Sequence, residues 1–119
     1  MEVELKVDDL TIPQGVDFGL QWPLLNRTTG LPIDDFTGWF ARAQVRETAD
    51  TSGDPLYEWT TENGGIVLAY SSLTLIFKSG DTSAWQWRRG EYDIEIVSPV
   101  PEVSRVTGGK MTVSPEVTR

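Results

Sequence analysis

Glu91, Asp93 and Glu95 alternate along Gly90-Glu-Tyr-Asp-Ile-Glu-Ile96. On an extended chain they share one face, with about 6.8 Å between successive members. A separation of roughly 6.5–9.5 Å suits the acid and base of inverting glycoside hydrolysis. Acids in such a row are far more commonly a solvated outer strand face, and nothing beside them in sequence builds a cleft that would raise one pKa. Arg42 and Arg46 lie on the polar face of another alternating run. If the two strands are neighbours, opposite charges across them contribute about 0.2–1 kcal/mol per pair. Asp8-Asp9 and Asp34-Asp35 are the other acidic doublets. Calcium favours clustered oxygen ligands, but the EF-hand loop spacing is absent, so turn capping and loop solvation are expected there. No catalytic residue, metal ligand or cofactor site is assigned.

The most unusual hexapeptide is Trp85-Gln-Trp-Arg-Arg-Gly90. Trp85 and Trp87 at i, i+2 would share a strand face, a platform able to stack on sugar rings or bases. Arg88 and Arg89 add hydrogen bonds or cation–π contacts. The competing reading seals the end of the core with the same indoles. Lys110-Met-Thr-Val-Ser-Pro-Glu-Val-Thr-Arg119 is extended in tendency, because a residue before proline avoids the helical region. It reads as a last edge strand, open to a neighbour's strand in an assembly. Trp85, Trp87, Arg88, Arg89, Val113 and Val117 are therefore the candidate partner-binding residues.

The chain has 119 residues, 18 Asp+Glu against 10 Lys+Arg for a net charge of −8, and neither histidine nor cysteine. Those two absences exclude Ser–His–Asp and Cys–His nucleophile systems, imidazole or thiolate zinc sites, disulfides and thiol redox chemistry. The acidic balance repels phosphate, which argues against nucleic acid and against an anionic membrane face as partners. No stretch approaches the roughly 18 apolar residues a membrane span needs. Met1-Glu2-Val3-Glu4 has neither a basic nor an apolar leader region, so synthesis in the cytoplasm without a signal peptide is the expectation.

These residues need a scaffold, and period-two patterning supplies it. Val3, Leu5 and Val7 alternate with polar residues, as do Val16, Phe18, Leu20 and Trp22 after the Ile12-Pro-Gln-Gly15 punctuation. Trp39, Ala41, Ala43 and Val45 oppose Phe40, Arg42, Gln44 and Arg46, and Tyr92, Ile94 and Ile96 oppose the three acids. Each run is the signature of a half-buried strand. Residues 56–60, 65–70, 73–78 and 110–113 complete a set of about eight short antiparallel strands. Leu75 and Phe77 join Phe18, Leu20, Trp22, Trp39, Ala41, Ala43, Val45, Tyr92, Ile94 and Ile96 as the expected core. Asn26 to Gly30, Asp50 to Pro55, Asn63-Gly-Gly65 and Thr107-Gly-Gly109 carry turn chemistry. One helical turn is predicted near 80–86, capped by Gly80-Asp81-Thr82. The pattern predicts a single all-β domain over 1–119, an immunoglobulin-like β-sandwich.

The ordered motifs carry a resemblance that no single one does. Ile12-Pro-Gln-Gly15, Asn26 to Asp35, Phe36-Thr-Gly38, Ala41 to Arg46, Leu73 to Phe77, Asp81-Thr-Ser-Ala-Trp85, Gly90 to Glu95 and Val106 to Thr118 occur in sequence. The set resembles the small β-sandwich proteins of tailed bacteriophages, the LtfC-like tail proteins and the N-terminal domain of baseplate upper proteins. The resemblance implies a non-enzymatic virion component of a tail, tail tip or baseplate, present in several copies and contacting other tail proteins and itself. Baseplate upper proteins continue into fibre-binding regions, whereas this sequence ends at Arg119, so an adaptor or decorating role is expected over direct receptor binding. The competing readings are a carbohydrate-binding module using Trp85 and Trp87, a capsid decoration protein and, distantly, a carboxylate hydrolase.

Overall fold

The computed structural model describes residues 7–26 and 28–118. Its elements are β1 (Leu10–Pro13), β2 (Phe18–Pro23), β3 (Phe40–Arg46), β4 (Tyr57–Thr60), β5 (Ile66–Ala69), β6 (Ser72–Phe77), a one-turn helix α1 (Ser79–Thr82), β7 (Arg89–Val97) and β8 (Val103–Ser114). They form a five-stranded sheet in the order β1-β8-β7-β3-β4 and a three-stranded sheet in the order β2-β6-β5. This division is that of an immunoglobulin-like sandwich.

Alternation explains which side chains fill the space between the sheets. Ala41, Ala43 and Val45 of β3, Tyr92, Ile94 and Ile96 of β7, Leu73, Leu75 and Phe77 of β6, and Trp22 of β2 are buried. Phe18, Leu20 and Trp39 pack against this core from partly buried positions. Trp59 sits at its centre, 1% exposed. Its indole lies edge-on to Tyr57, Phe77 and Trp85, with ring centroids 4.8, 5.5 and 6.2 Å away. Its Nε1 donates to the carbonyl of Ile76 at 3.1 Å, tying β4 of one sheet to β6 of the other.

Several expectations are corrected. Ile12-Pro13 is strand, not punctuation: it belongs to β1, which pairs with β8 in parallel, Leu10 beside Met111 and Ile12 beside Val113. Among the described residues the other strand pairs are antiparallel. The expected strand over 2–7 lies outside the described residues apart from Val7, which bridges to Gly108. Val16 precedes β2 and is exposed. The final strand starts at Val103, not Lys110, and lies between β7 and β1, so it is no edge. A bulge relaxes its pairing with β7, where Ile94 faces Thr107 but Glu95 faces Arg105.

Helix α1 is likewise capped differently. Its N-cap is Lys78, which makes no side-chain bond. Asp17, just ahead of β2, accepts the Ser79 amide at 2.7 Å, and that bond holds its carboxyl below the usual carboxylate range. Gln14 fastens the same corner. Its Nε2 donates to the carbonyls of Thr82 and Trp85 at 2.9 and 3.1 Å, while its Oε1 accepts the Glu116 amide at 3.2 Å. One side chain thus holds the end of β1, the helical turn and the chain beyond β8.

Candidate docking surface

The candidate residues do not come together as one surface. Trp85 and Trp87 precede β7 and are not on a strand. Trp85 is only 8% exposed, packed on Tyr57, Trp59 and Phe77, and Trp87 stacks on it at 4.7 Å with 30° between planes. Both indole nitrogens are buried. The pair spends its faces on the core and on itself, which fits the core-sealing reading and not a shared strand face. Arg88 and Arg89 are exposed. Val113 is 2% exposed, turned inward from the interior strand β8, and cannot dock a partner. Val117 is 92% exposed.

The outer face of the five-stranded sheet is densely charged. The β3–β7 register places Arg42 opposite Glu95, Gln44 opposite Asp93 and Arg46 opposite Glu91. Arg42 Nε meets Glu95 Oε1 at 2.9 Å, the cross-strand pair the alternation predicts. Arg46 instead turns to the carbonyls of Thr51 and Gly53, and Glu91 accepts the Ala49 amide. Asp93 meets Arg105 at 3.4 Å. Burial, then the neighbouring Glu95, raises the pKa of Asp93, while Arg105 and Arg42 oppose the rise. A depression of about 700 Å³ over Gly108 and Gly109 is lined by these charges. Most of its acids and bases pair with one another or with the backbone, and exposed pairs of this kind contribute about 0–1 kcal/mol. Among the described residues no group of three acids is placed to hold a metal ion.

The acidic doublets do more than face solvent. Asp8 Oδ2 accepts from Trp22 Nε1 at 2.9 Å and Thr107 Oγ1 at 3.2 Å, and its carbonyl accepts the Tyr92 hydroxyl. Asp9 accepts the Lys110 amide, and Asp35 accepts the amide and hydroxyl of Thr37.

Across the molecule the outer face of the three-stranded sheet is the opposite in character. Gly19 and Gln21 of β2, Thr74 and Ile76 of β6, and Val67 and Ala69 of β5 alternate with inward side chains and form that face. None is charged. The sequence itself has no charged residue from Asn63 through Phe77. At the hairpin tip Tyr70 and Ser71 have φ of 52° and 58°, the paired positive values of a type I′ turn, and Tyr70 is 98% exposed. Edge strands are usually guarded by charge, proline or a bulge, and β5 has none of these. Sequence reading did not single out this hairpin, although its lack of charge was the available signal.

A second cleft, of about 510 Å³, opens at one end of the sandwich beside Trp39, between the β2–β3 connection and the β7–β8 hairpin.

Tyr57 links the aromatic core to α1 through its hydroxyl, which donates to Asp81 at 2.9 Å. Burial, then the Asp81 hydrogen bond and charge, pushes the phenol from 10.0 up to about 12. The folded chain therefore keeps this proton where the unfolded chain has released it. The stabilisation is complete below pH 10.0 and is lost as pH rises toward about 12. Tyr92, raised chiefly by burial, acts in the same direction. Urea melts across this alkaline range are expected to show a shallower loss of stability in Tyr57→Phe than in the parent chain.

Comparison with protein-family models finds no match to this chain, and comparison with curated proteins finds none.

Proposed function

We propose that the protein is a non-enzymatic structural adaptor of a tailed-phage virion, placed in the tail, tail tip or baseplate and held in several copies by protein–protein contacts. The charge-free β5–β6 hairpin, with the sheet face behind it, is the observation that carries this reading. In a chain with 18 acidic residues, a whole sheet face without charge stands apart, and loss of charge marks the centre of protein interfaces. The exposed Tyr70 belongs to a residue type that anchors such contacts. A symmetric assembly repeats each modest contact, so the copies hold one another without a large single interface.

Immunogold labelling of intact tailed-phage particles carrying the protein is expected to place it on the tail or its tip. A Gln21→Lys, Val67→Lys variant, with the two charges on separate outer strands of that face, is expected to melt near the parent temperature yet fail to join particles, because a charge buried at an interface without a partner is strongly unfavourable. Label confined to heads would support a capsid decoration role instead. Normal incorporation of the doubly charged variant would remove the hairpin face from the contact.

A further inference from the structure

The cleft beside Trp39 is independent of the docking face and has the attributes of a ligand site. Its floor is apolar, made by Leu24, Ile33, Ile96 and Val106 around the half-buried indole. Its walls are held in place before any ligand arrives. Leu25 bridges to Pro32, Asn26 and Leu31 join through the Asn26 amide at 2.8 Å, and the Ile33 amide donates to Leu24 at 3.1 Å. The opposite wall is the β7–β8 hairpin, closed by the Ser98 amide on the Glu102 carbonyl. Gly38 packs so tightly on Pro99 that a Cβ there would stand 3.2 Å from Cγ.

The polar atoms around this floor are largely unspent. Trp39 packs edge-on to Phe36 at 6.2 Å, and its Nε1 donates to none of the described residues. Asn26 uses its Oδ1 for the amides of Thr28 and Thr29, leaving Nδ2. Ser104 Oγ and the Glu102 carboxylate line the cleft and bond to none of the described residues. Donors and acceptors thus ring an aromatic floor. Among the described residues the charged ones lining the cleft, Glu102 and Arg105, cancel in formal charge. A fatty chain would leave these polar atoms desolvated and unpaired, and an anion would meet the chain's net charge of −8. A pyranose ring matches both requirements, with an apolar C–H face for the indole and hydroxyls that donate and accept. The volume, about 510 Å³, falls in the range of small-molecule sites.

We propose that this cleft binds a neutral saccharide, with one pyranose ring against Trp39 and its hydroxyls on Asn26, Ser104 and Glu102. The five tryptophans give indole N–H resonances that Trp→Phe variants assign singly. Maltotriose, cellotriose and the N-acetylglucosamine trimer, each added to the full chain at about 10 mM, are the probes. At least one is expected to move the Trp39 indole resonance while leaving those of Trp85 and Trp87 in place. Ser104→Gln, which fills the cleft from a half-buried position opposite Ile96, is expected to weaken that binding by about tenfold or more while the chain still melts cooperatively. No shift of Trp39 with any of the three sugars would overturn the proposal. So would shifts confined to other indoles, affinity unchanged in Ser104→Gln, or a response to sodium decanoate alone.

Discussion

Trp59→Ala is expected to be the most damaging single truncation in the protein, costing about 3–5 kcal/mol. The indole is fully enclosed, it touches three other aromatic rings, and its N–H carries the Ile76 bond between the two sheets. Alanine leaves a cavity bordered by rings that are already fixed by their own partners, so collapse around it is limited. In a domain of this size the loss corresponds to a fall in melting temperature on the order of 10–25 °C. Trp59→Phe keeps most of the apolar volume and gives up the hydrogen bond, leaving the Ile76 carbonyl short of a donor. It is expected to cost about 1–3 kcal/mol. Urea titrations of the two variants against Tyr70→Ala, which alters an almost fully exposed ring and should stay within about 0.5 kcal/mol, provide the measurement. A Trp59→Ala midpoint close to that of Tyr70→Ala would mean that the aromatic cluster is not the centre of stability.

Gly90→Ala is expected to destabilise by about 1–3 kcal/mol or more through overpacking, although it adds one methyl group. A Cβ at this position would stand 2.7 Å from both the Arg46 carbonyl oxygen and Val45 Cγ2, and 3.3 Å from Leu56 Cδ1. The first of these is backbone of β3, held in the β3–β7 ladder, so relief requires the two strands to part. Hydrogen exchange should therefore accelerate first at the Arg46 end of that ladder. Gly80→Ala is the matching control, since a Cβ there has open space and a backbone that alanine readily adopts. Equal melting temperatures for the two variants would show that the strands yield without cost.

Alternation made β2, β3, β6 and β7 legible because each buries one face and wets the other, and that physical asymmetry writes itself into every second residue. The inward set from Ala41 to Ile96 followed from it directly, as did the Arg42–Glu95 pair once β3 and β7 were neighbours. β1 was hidden for a different reason. It is four residues long, ends in Pro13, and exists through parallel pairing with a strand far along the chain, a relation that leaves no local pattern. The same remoteness placed β8 at an edge when it lies inside the sheet, and so put Val113 on the surface. Trp85 and Trp87 follow the core-sealing reading, and the stacking-platform alternative fails because i, i+2 spacing implies a common face only within a strand. Ahead of β7 the chain bends enough for the two rings to stack on each other. The candidate docking face was written in a missing residue type rather than in any residue, and the Trp39 cleft is made by two connections whose approach only the fold determines.

Placing β8 between β7 and β1 also makes the pairing of β1 a distant one. Asp9 binds the amide of Lys110 across 101 residues of sequence, and β1 has no strand to pair with until β8 has been made. The β3–β7–β8 layer can assemble before β1 docks, and β1 then completes that flank of the sheet. Distant pairing of this sort slows folding, leaving an interval in which the open flank of β8 is available to any extended strand nearby, including one from a sister chain.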